Sequence, residues 1–233
     1  MIGTLKNRLD AWQQRLSNRI GSDISTAKAR RAAWTHYLWI DHGFLRVLWR
    51  NFHQIAPGVY RSNQPSDAQL RAVHRRHNLT QVLNLRGASK QSFYLFEAET
   101  CGDLGLELVD MPMSARQAPT RDGLEALVSR LQSLKKPCLI HCKSGADRTG
   151  LAAALYLLVV EGQPIAVAKR QLSLRYIHIS FVSTGILDHL LRVYEQAFNQ
   201  SGIGFLDWVR RDYDPAALTA SFARWRAGDR RLA

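Results

Sequence analysis

Cysteine is scarce in this chain: 233 residues hold three, Cys101, Cys138 and Cys142. An odd count without a regular framework excludes a disulfide-stapled scaffold and points to a reducing compartment, where a free thiol persists. Acidic residues are also few. Nineteen Asp and Glu stand against 32 Lys and Arg, a formal net charge of +13. Such a balance favours anionic partners: phosphorylated substrates, acidic lipid headgroups or nucleic acid. No recognised nucleic-acid motif accompanies the charge, so no nucleic-acid partner is expected. Long apolar runs are missing too. The longest, LAAALYLLVV at 151–160, is too short to span a bilayer and reads as a buried helix. The opening MIGTLKNRLDAWQQRL lacks the uninterrupted apolar core of a signal peptide. A cytoplasmic location is expected, with peripheral contact at the inner membrane face as an extension of it.

What is present divides the chain into three. Residues 1–52 read as a basic amphipathic helical extension. Ile2, Leu5, Leu9, Trp12 and Leu16 recur at helical steps, and nine Lys/Arg against three Asp fall within 1–50. A second Trp- and Leu-rich stretch, AWTHYLWIDHGFLRVLWRNF, is broken by Asp41, Gly43 and Arg46. These helices either pack on the domain or pair with a second copy, or they make a peripheral membrane contact through residues 1–50. Residues 53–200 read as the catalytic domain. PGVYRSNQPS is a strand and turn, and Ser66 or Asp67 caps a helix to about His77. TQVLNLRG (80–87), LELVDMPM (106–113) and CLIHC after Pro137 are strands; SFYLFEAETCGDLG and the stretch after Thr120 are helical, the latter with Leu124, Leu127, Val128 and Leu131 on one face. Further helices are expected at 150–161, after Pro164 and over 184–198. Strand–helix alternation predicts an α/β domain with a mostly parallel central sheet flanked by helices. Residues 201–233 read as a helical, basic C-terminal extension.

The chemistry concentrates in HCKSGADRTG, 141–150. An apolar strand, a tight loop and a helix near Arg148 make a backbone nest for an anion at the carboxyl end of a strand. The helix adds its free N-terminal amides and positive dipole end. Lys143, Ser144, Gly145 and Ala146 supply that phosphate-binding backbone, and Gly145 allows the sharp turn. Helix N-termini and nearby cations stabilise a thiolate, and a thiolate at Cys142 can attack phosphorus. Arg148 presents a planar fork for two phosphate oxygens. Thr149 is placed to hydrogen-bond the departing thiolate. His141 braces the loop from behind, and Lys143 adds charge at the mouth.

The stretch resembles the signature of the cysteine-dependent protein tyrosine phosphatase superfamily: His-Cys, five residues, Arg, Ser/Thr, Gly. YRSNQP, VLNLRG and the 106–119 strand and loop look like its dual-specificity branch, particularly the compact bacterial and plant-and-fungi-like members. The resemblance spans about Gly58 to Leu191. It implies a protein tyrosine phosphatase-like fold and a phosphatase that needs no cofactor or metal. Cys142 maps onto the nucleophile, Arg148 onto the phosphate-binding arginine and Thr149 onto the following hydroxyl. The family usually draws its general acid from a mobile loop about thirty residues before the cysteine. Here that loop, PMSARQAP, has no carboxylate. Asp110, 32 residues upstream, lies at the end of a strand. Asp147, inside the loop, resembles the loop Asp assigned the acid role in lipid-phosphatase-like bacterial enzymes and myotubularins, and is preferred. Its alternative is a salt bridge aligning Arg148.

The expected substrate is a phosphotyrosine, phosphoserine or phosphothreonine protein, or a phospholipid headgroup. The alternative is a non-catalytic phosphate- or lipid-binding module at the membrane surface; sulfur transfer or arsenate reduction fits the loop less well. Arg86 either reaches substrate or, as such residues more often do, braces neighbouring loops. Arg116 and Gln117 are expected to flank the site. Cys101 and Cys138 read as core thiols, although a protective disulfide between one of them and Cys142 stays open. His74 and His77 share a helix face without forming an expected metal pair.

Overall fold

Short β-rich runs alternate with amphipathic helices, and the result is one sheet with both faces covered. The computed structural model describes residues 21–229. Strands β1 (His53–Ala56), β2 (Val59–Ser62), β3 (Gln81–Asn84), β4 (Glu107–Asp110) and β5 (Cys138–His141) lie in the order β1-β2-β5-β3-β4. β1 pairs antiparallel with β2; the other pairs are parallel. Side chains alternate between faces, as the pleat requires. Val82 and Leu139 enter one core with Leu70, Cys101 and Leu106. Leu83, Cys138 and Ile140 enter the other, larger one.

The helices are α1 (Ala27–Thr35), α2 (Gly43–Leu48), α3 (Asp67–His77), α4 (Ser92–Leu104), α5 (Arg121–Gln132), α6 (Asp147–Leu155), α7 (Ile165–Lys169), α8 (Ile186–Ser201), α9 (Phe205–Arg211) and α10 (Pro215–Arg226). Ser66 is the cap of α3. Its hydroxyl accepts from the Gln69 amide at 3.3 Å while the Gln69 side chain accepts from the Ser66 amide at 2.9 Å. Leu124, Leu127, Val128 and Leu131 of α5 are all buried, as their spacing predicts. Helix α6 opens at Asp147 and widens into a π-helical turn over Tyr156–Val160.

Three boundaries differ from the sequence reading. The run 80–87 stops as a strand at Asn84, because the Asn84 Oδ1 accepts from the Arg86 amide at 2.9 Å and bends the chain. The run 106–113 stops at Asp110, and Pro112 has no N–H to continue a ladder. β1 was not expected. HQIA carries no alternating pattern, and only the turn at Pro57-Gly58, with Gly58 at φ +73, returns it to β2.

Both flanking segments pack on this domain. Ala33 and Tyr37 share a small core with Phe93 and Phe96 of α4, and Arg30 forks onto Glu99 at 2.6 and 2.7 Å. Phe205, Trp208, Leu218, Phe222 and Trp225 belong to the larger core. The apolar face at Ile2–Leu16 lies outside the described residues. Among the described residues no helix is long and apolar enough to cross a membrane.

Register fixes where a ligand can bind. Ser62 and Asn84 both lie opposite His141, and Asn84 lies opposite Asp110. Four parallel strands therefore end level, and the loops after them meet beyond one edge of the sheet, where open α/β sheets bind ligands.

Candidate active site

β5 delivers Cys142 to that edge, with its side chain 1% exposed at the base of the 142–148 loop. The loop carbonyls point away from the centre, and each has a named partner. The Cys142 carbonyl lies 3.4 Å from His141 Nδ1. The Lys143 carbonyl accepts from the Gln64 amide at 3.3 Å, and that of Ser144 from Asn51 Nδ2 at 3.1 Å. Arg61 Nη2 donates to the Gly145 carbonyl at 2.6 Å and the Ala146 carbonyl at 3.4 Å. A trans peptide points its C=O and the following N–H in opposite directions. Carbonyls tied away from the loop centre therefore turn the amides that follow them toward its inner side; the Ala146 amide donates to Ser144 Oγ at 3.3 Å. Gly145 closes the turn at φ +72, where an added Cβ would lie 2.6 Å from the Ser62 carbonyl.

Arg61 has no role in the sequence reading, where YRSNQP is a strand and turn and part of the family resemblance. It is fully buried. Its other branch donates to the Gln171 carbonyl at 2.9 Å and Gln171 Oε1 at 2.7 Å, and its guanidinium lies 3.8 Å from the Tyr176 ring centre. Burial pulls its pKa down to about 10, so it remains a cation at neutral pH, fixed beneath the loop.

Arg148 enters from the first turn of α6. Its Nη1 donates to the Leu85 carbonyl at 3.2 Å and the Met113 carbonyl at 3.3 Å, while its Nε is buried without a partner. Thr149 Oγ1 is likewise buried and unpartnered. Asp147 Oδ1 lies 2.8 Å from Nδ1 of His178, itself buried. That partner, rather than Arg148, is what holds Asp147. The two oxygens of Asp110 are engaged elsewhere, by Asn84 Nδ2 at 2.8 Å and the Tyr94 hydroxyl at 2.6 Å. Burial and this bond push the Tyr94 hydroxyl up to about 12.

A second network reaches the loop from the N-terminal segment. Asp41, read from sequence as a break in a helix, is 6% exposed. It contacts Arg46 at 2.7 Å, Arg86 at 2.9 Å and Lys143 at 3.2 Å. Arg86 is the brace its sequence context suggested: it also donates to Gln64 Oε1 at 2.8 Å and covers the Phe93 ring. Gln64 passes the connection to Glu97 at 2.8 Å, and Glu97 to His141 at 2.8 Å. His141 thus stands behind the loop. Burial opposes charge on Asp41, but Arg86, Arg46 and Lys143 outweigh it and hold the carboxyl at about 2.

The remaining sequence candidates fall away from the centre. Arg116 and Gln117 are exposed on the loop after β4. Cys101 and Cys138 are buried free thiols, each pushed up to about 12 by burial. His74 bonds the Leu79 carbonyl at 3.0 Å, and His77 stacks against Phe52 and Tyr60.

Two outcomes follow from this geometry. Arg61→Lys keeps a cation but loses the fork, so the Gly145 or Gln171 carbonyl is left unpaired; stability should fall by about 1–3 kcal/mol in chemical denaturation. The affinity for inorganic phosphate or vanadate should fall with it. Asp41→Asn should cost about 2 kcal/mol at neutral pH, given a carboxyl moved from 3.8 to about 2. The folded value lies below the unfolded one, so the contribution is complete above about pH 4 and is lost as the pH falls toward 2. The difference between wild type and variant should therefore close over that window.

With this site in view, comparisons with known proteins are specific. The family described as "DSP-PTPase phosphatase fused to NAD+ Kinase" matches residues 53–181, a span that contains Arg61, Cys142, Asp147, Arg148, Thr149 and His178. The dual specificity protein phosphatase TpbA of Pseudomonas aeruginosa strain UCBPP-PA14 is 31% identical over 139 residues, 59% of this chain and 56% of that protein. Its counterpart in strain PAO1 is 29% identical over the same length. This chain thus spans little more than half the length of the curated relatives it matches. Among solved structures, the Siw14 catalytic core aligns with a TM-score of 0.50 at 17% identity, covering 66% of this chain and 92% of that one. The core catalytic domain of the PP-IP phosphatase SIW14 from S. cerevisiae, in complex with citrate, aligns at 0.50 and 19% identity over 63% and 92%. These likenesses show the protein tyrosine phosphatase-like fold. With more than half of its residues matched by the family, and the whole loop among them, the chain belongs to the DSP-PTPase phosphatase family.

Proposed function

We propose that this protein is a phosphatase that hydrolyses phosphomonoesters through a cysteinyl-phosphate intermediate. The observation that carries the reading is the outward anchoring of the loop carbonyls, which turns the amides that follow them toward the inner side of the loop above Cys142. Preorganised amides in a buried site stabilise the charge of a transferring phosphoryl group without reorganising. Arg148 Nε adds a donor beside them, and Arg61 a fixed cation below.

In the first step the Cys142 thiolate attacks phosphorus; the S–P bond forms as the bond to the ester oxygen breaks. Asp147 gives its proton to that oxygen. In the second step water attacks phosphorus, Asp147 takes a proton from it, and the S–P bond breaks to release phosphate and the thiolate. Thr149 Oγ1, buried without another partner, is the donor for the departing sulfur. Asp147 is favoured over Asp110 as the proton carrier, because Asn84 and Tyr94 occupy both oxygens of Asp110. The bound-substrate range includes phosphotyrosine, in keeping with the dual specificity phosphatase named among the relatives. Peripheral membrane contact by the N-terminal segment belongs to the same reading.

Cys142→Ser should release no phosphate from p-nitrophenyl phosphate or a phosphotyrosine peptide, in buffer with EDTA, while wild type turns over both. Asp147→Asn should lower kcat on the peptide by about 10²–10³-fold. The loss should be smaller on p-nitrophenyl phosphate, whose leaving group needs little protonation. Equal losses on both substrates, or a larger effect from Asp110→Asn, would move the acid role away from Asp147. Retained turnover in Cys142→Ser would end the thiol mechanism.

A further inference from the structure

An apolar groove opens directly beside the phosphate loop. It has a volume of about 440 Å³ and is lined by Leu45, Trp49 and Ile177, with Lys143 and Ser144 of the loop at its floor. Its banks come from two distant parts of the chain, the N-terminal segment and the turn after α7. Both carry large apolar side chains into solvent. Trp39 is 65% exposed, Leu45 51%, Trp49 47%, Leu174 77% and Ile177 51%. Trp39 packs against Phe44, the neighbour of Leu45 in the chain, at 5.4 Å. Scattered apolar residues on a surface need no explanation; Leu45, Trp49 and Ile177 gathered at one groove beside the loop do.

The backbone holds this surface in place. Ile177 has φ +61, a conformation that is unfavourable for a β-branched residue. Its neighbours dictate it: Tyr176 turns inward over Arg61 and His178 turns inward to Asp147. Ile177 alone of the three is directed outward, onto the groove. The residues that build the site therefore also fix the apolar bank. Arg46 and Lys143 line the groove, and Arg50 and Arg175, next in the chain to Trp49 and Leu174, are exposed. Lys143 lies between the banks with its side chain 42% exposed.

We propose that this surface docks on an anionic lipid bilayer and that the substrate is a phosphomonoester lipid, drawn with its phosphate in the 142–148 loop and its apolar part along the groove. The proposal rests on the phosphatase reading above and names its substrate class. Trp and Leu at the level of the headgroups, with arginines beside them, match the chemistry of a bilayer interface. The net charge of +13 supplies the attraction to anionic lipid. Continuity between groove and loop is what separates this from a remote membrane anchor: the apolar part of the ligand and its phosphate are accommodated in one connected space.

The test uses the full chain in five measurements: sedimentation with vesicles of phosphatidylcholine alone or with phosphatidylglycerol added, phosphate release from dioleoyl phosphatidate in the anionic vesicles, from a phosphotyrosine peptide and from p-nitrophenyl phosphate, and the oligomeric state in solution. Binding to anionic vesicles should exceed binding to neutral ones by about tenfold or more, from the exposed arginines alone. Trp39→Ser/Leu174→Ser should lose most of that binding and of the phosphatidate turnover. The p-nitrophenyl phosphate rate reports whether the variant is folded and whether the phosphatase reading holds. Equal or absent binding to both vesicles in an enzyme active on p-nitrophenyl phosphate overturns the docking surface. Faster turnover of a phosphotyrosine peptide than of vesicle phosphatidate assigns a protein substrate instead. A dimer in solution that the double variant breaks, without vesicle binding, assigns the surface to a second copy. Vesicle binding with no turnover of any compound sinks the phosphatase reading and the lipid substrate with it, leaving only the docking surface.

Discussion

A single buried arginine sets the shape of the phosphate loop. Arg61 lies on β2, 84 residues before the carbonyl of Gly145 that it holds. Its fork spans the loop on one side and Gln171 on the other, and the Tyr176 ring covers it. A guanidinium is suited to this position because it delivers several fixed donors from one plane and keeps its charge when buried. Every carbonyl it draws outward leaves an amide turned inward. The anion-binding character of the loop is therefore set from behind, by residues that never need to touch a ligand. Asn51 and Gln64 do the same for the Ser144 and Lys143 carbonyls.

The second constraint is electrostatic. Cations gather around the site: Arg61, Arg148, Arg86, Arg46 and Lys143. Self-repulsion among them would be costly in a partly desolvated region. Asp41 meets three of them at once, and so ties the N-terminal segment to the sheet domain through charge as well as packing. The Arg86–Gln64–Glu97–His141 chain continues this network to the residue before Cys142. Burial of the charged groups is tolerated here because each charge meets a partner of opposite sign or a carbonyl. Arg148 Nε and Thr149 Oγ1 are buried without a partner, as are Arg46 Nε, Asn51 Oδ1, Arg61 Nε and His178 Nε2.

Much of this was legible in the sequence, and the reason is local. The run CLIHC followed by a Gly-containing loop and an apolar helix encodes strand, turn and helix within one stretch, so Cys142, Gly145 and Arg148 could be read together. The parallel sheet followed from alternation, and the burial of Cys101 and Cys138 from their apolar surroundings. Arg61, Asn51, Asp41 and His178 were not legible. Each reaches the site across a long separation, and each carries a local signal of a different kind: a strand residue, a turn residue, a helix break, a histidine in a loop. Asp110, the alternative to Asp147 at a general-acid spacing from Cys142, lies opposite Asn84 in the sheet and accepts from its side chain. The strand β1 was missed because its pairing is fixed by the Pro57-Gly58 turn rather than by any pattern of its own.

The account depends most on phosphorus passing through the sulfur of Cys142. The direct measurement is rapid acid quenching of wild-type protein during turnover of a phosphotyrosine peptide, followed by mass spectrometry of the fragment containing residues 141–150. One phosphoryl group on Cys142, formed and lost at rates that account for turnover, is the predicted result. Turnover with no phosphoryl group on Cys142 at any time, or with the group on another residue, would contradict it.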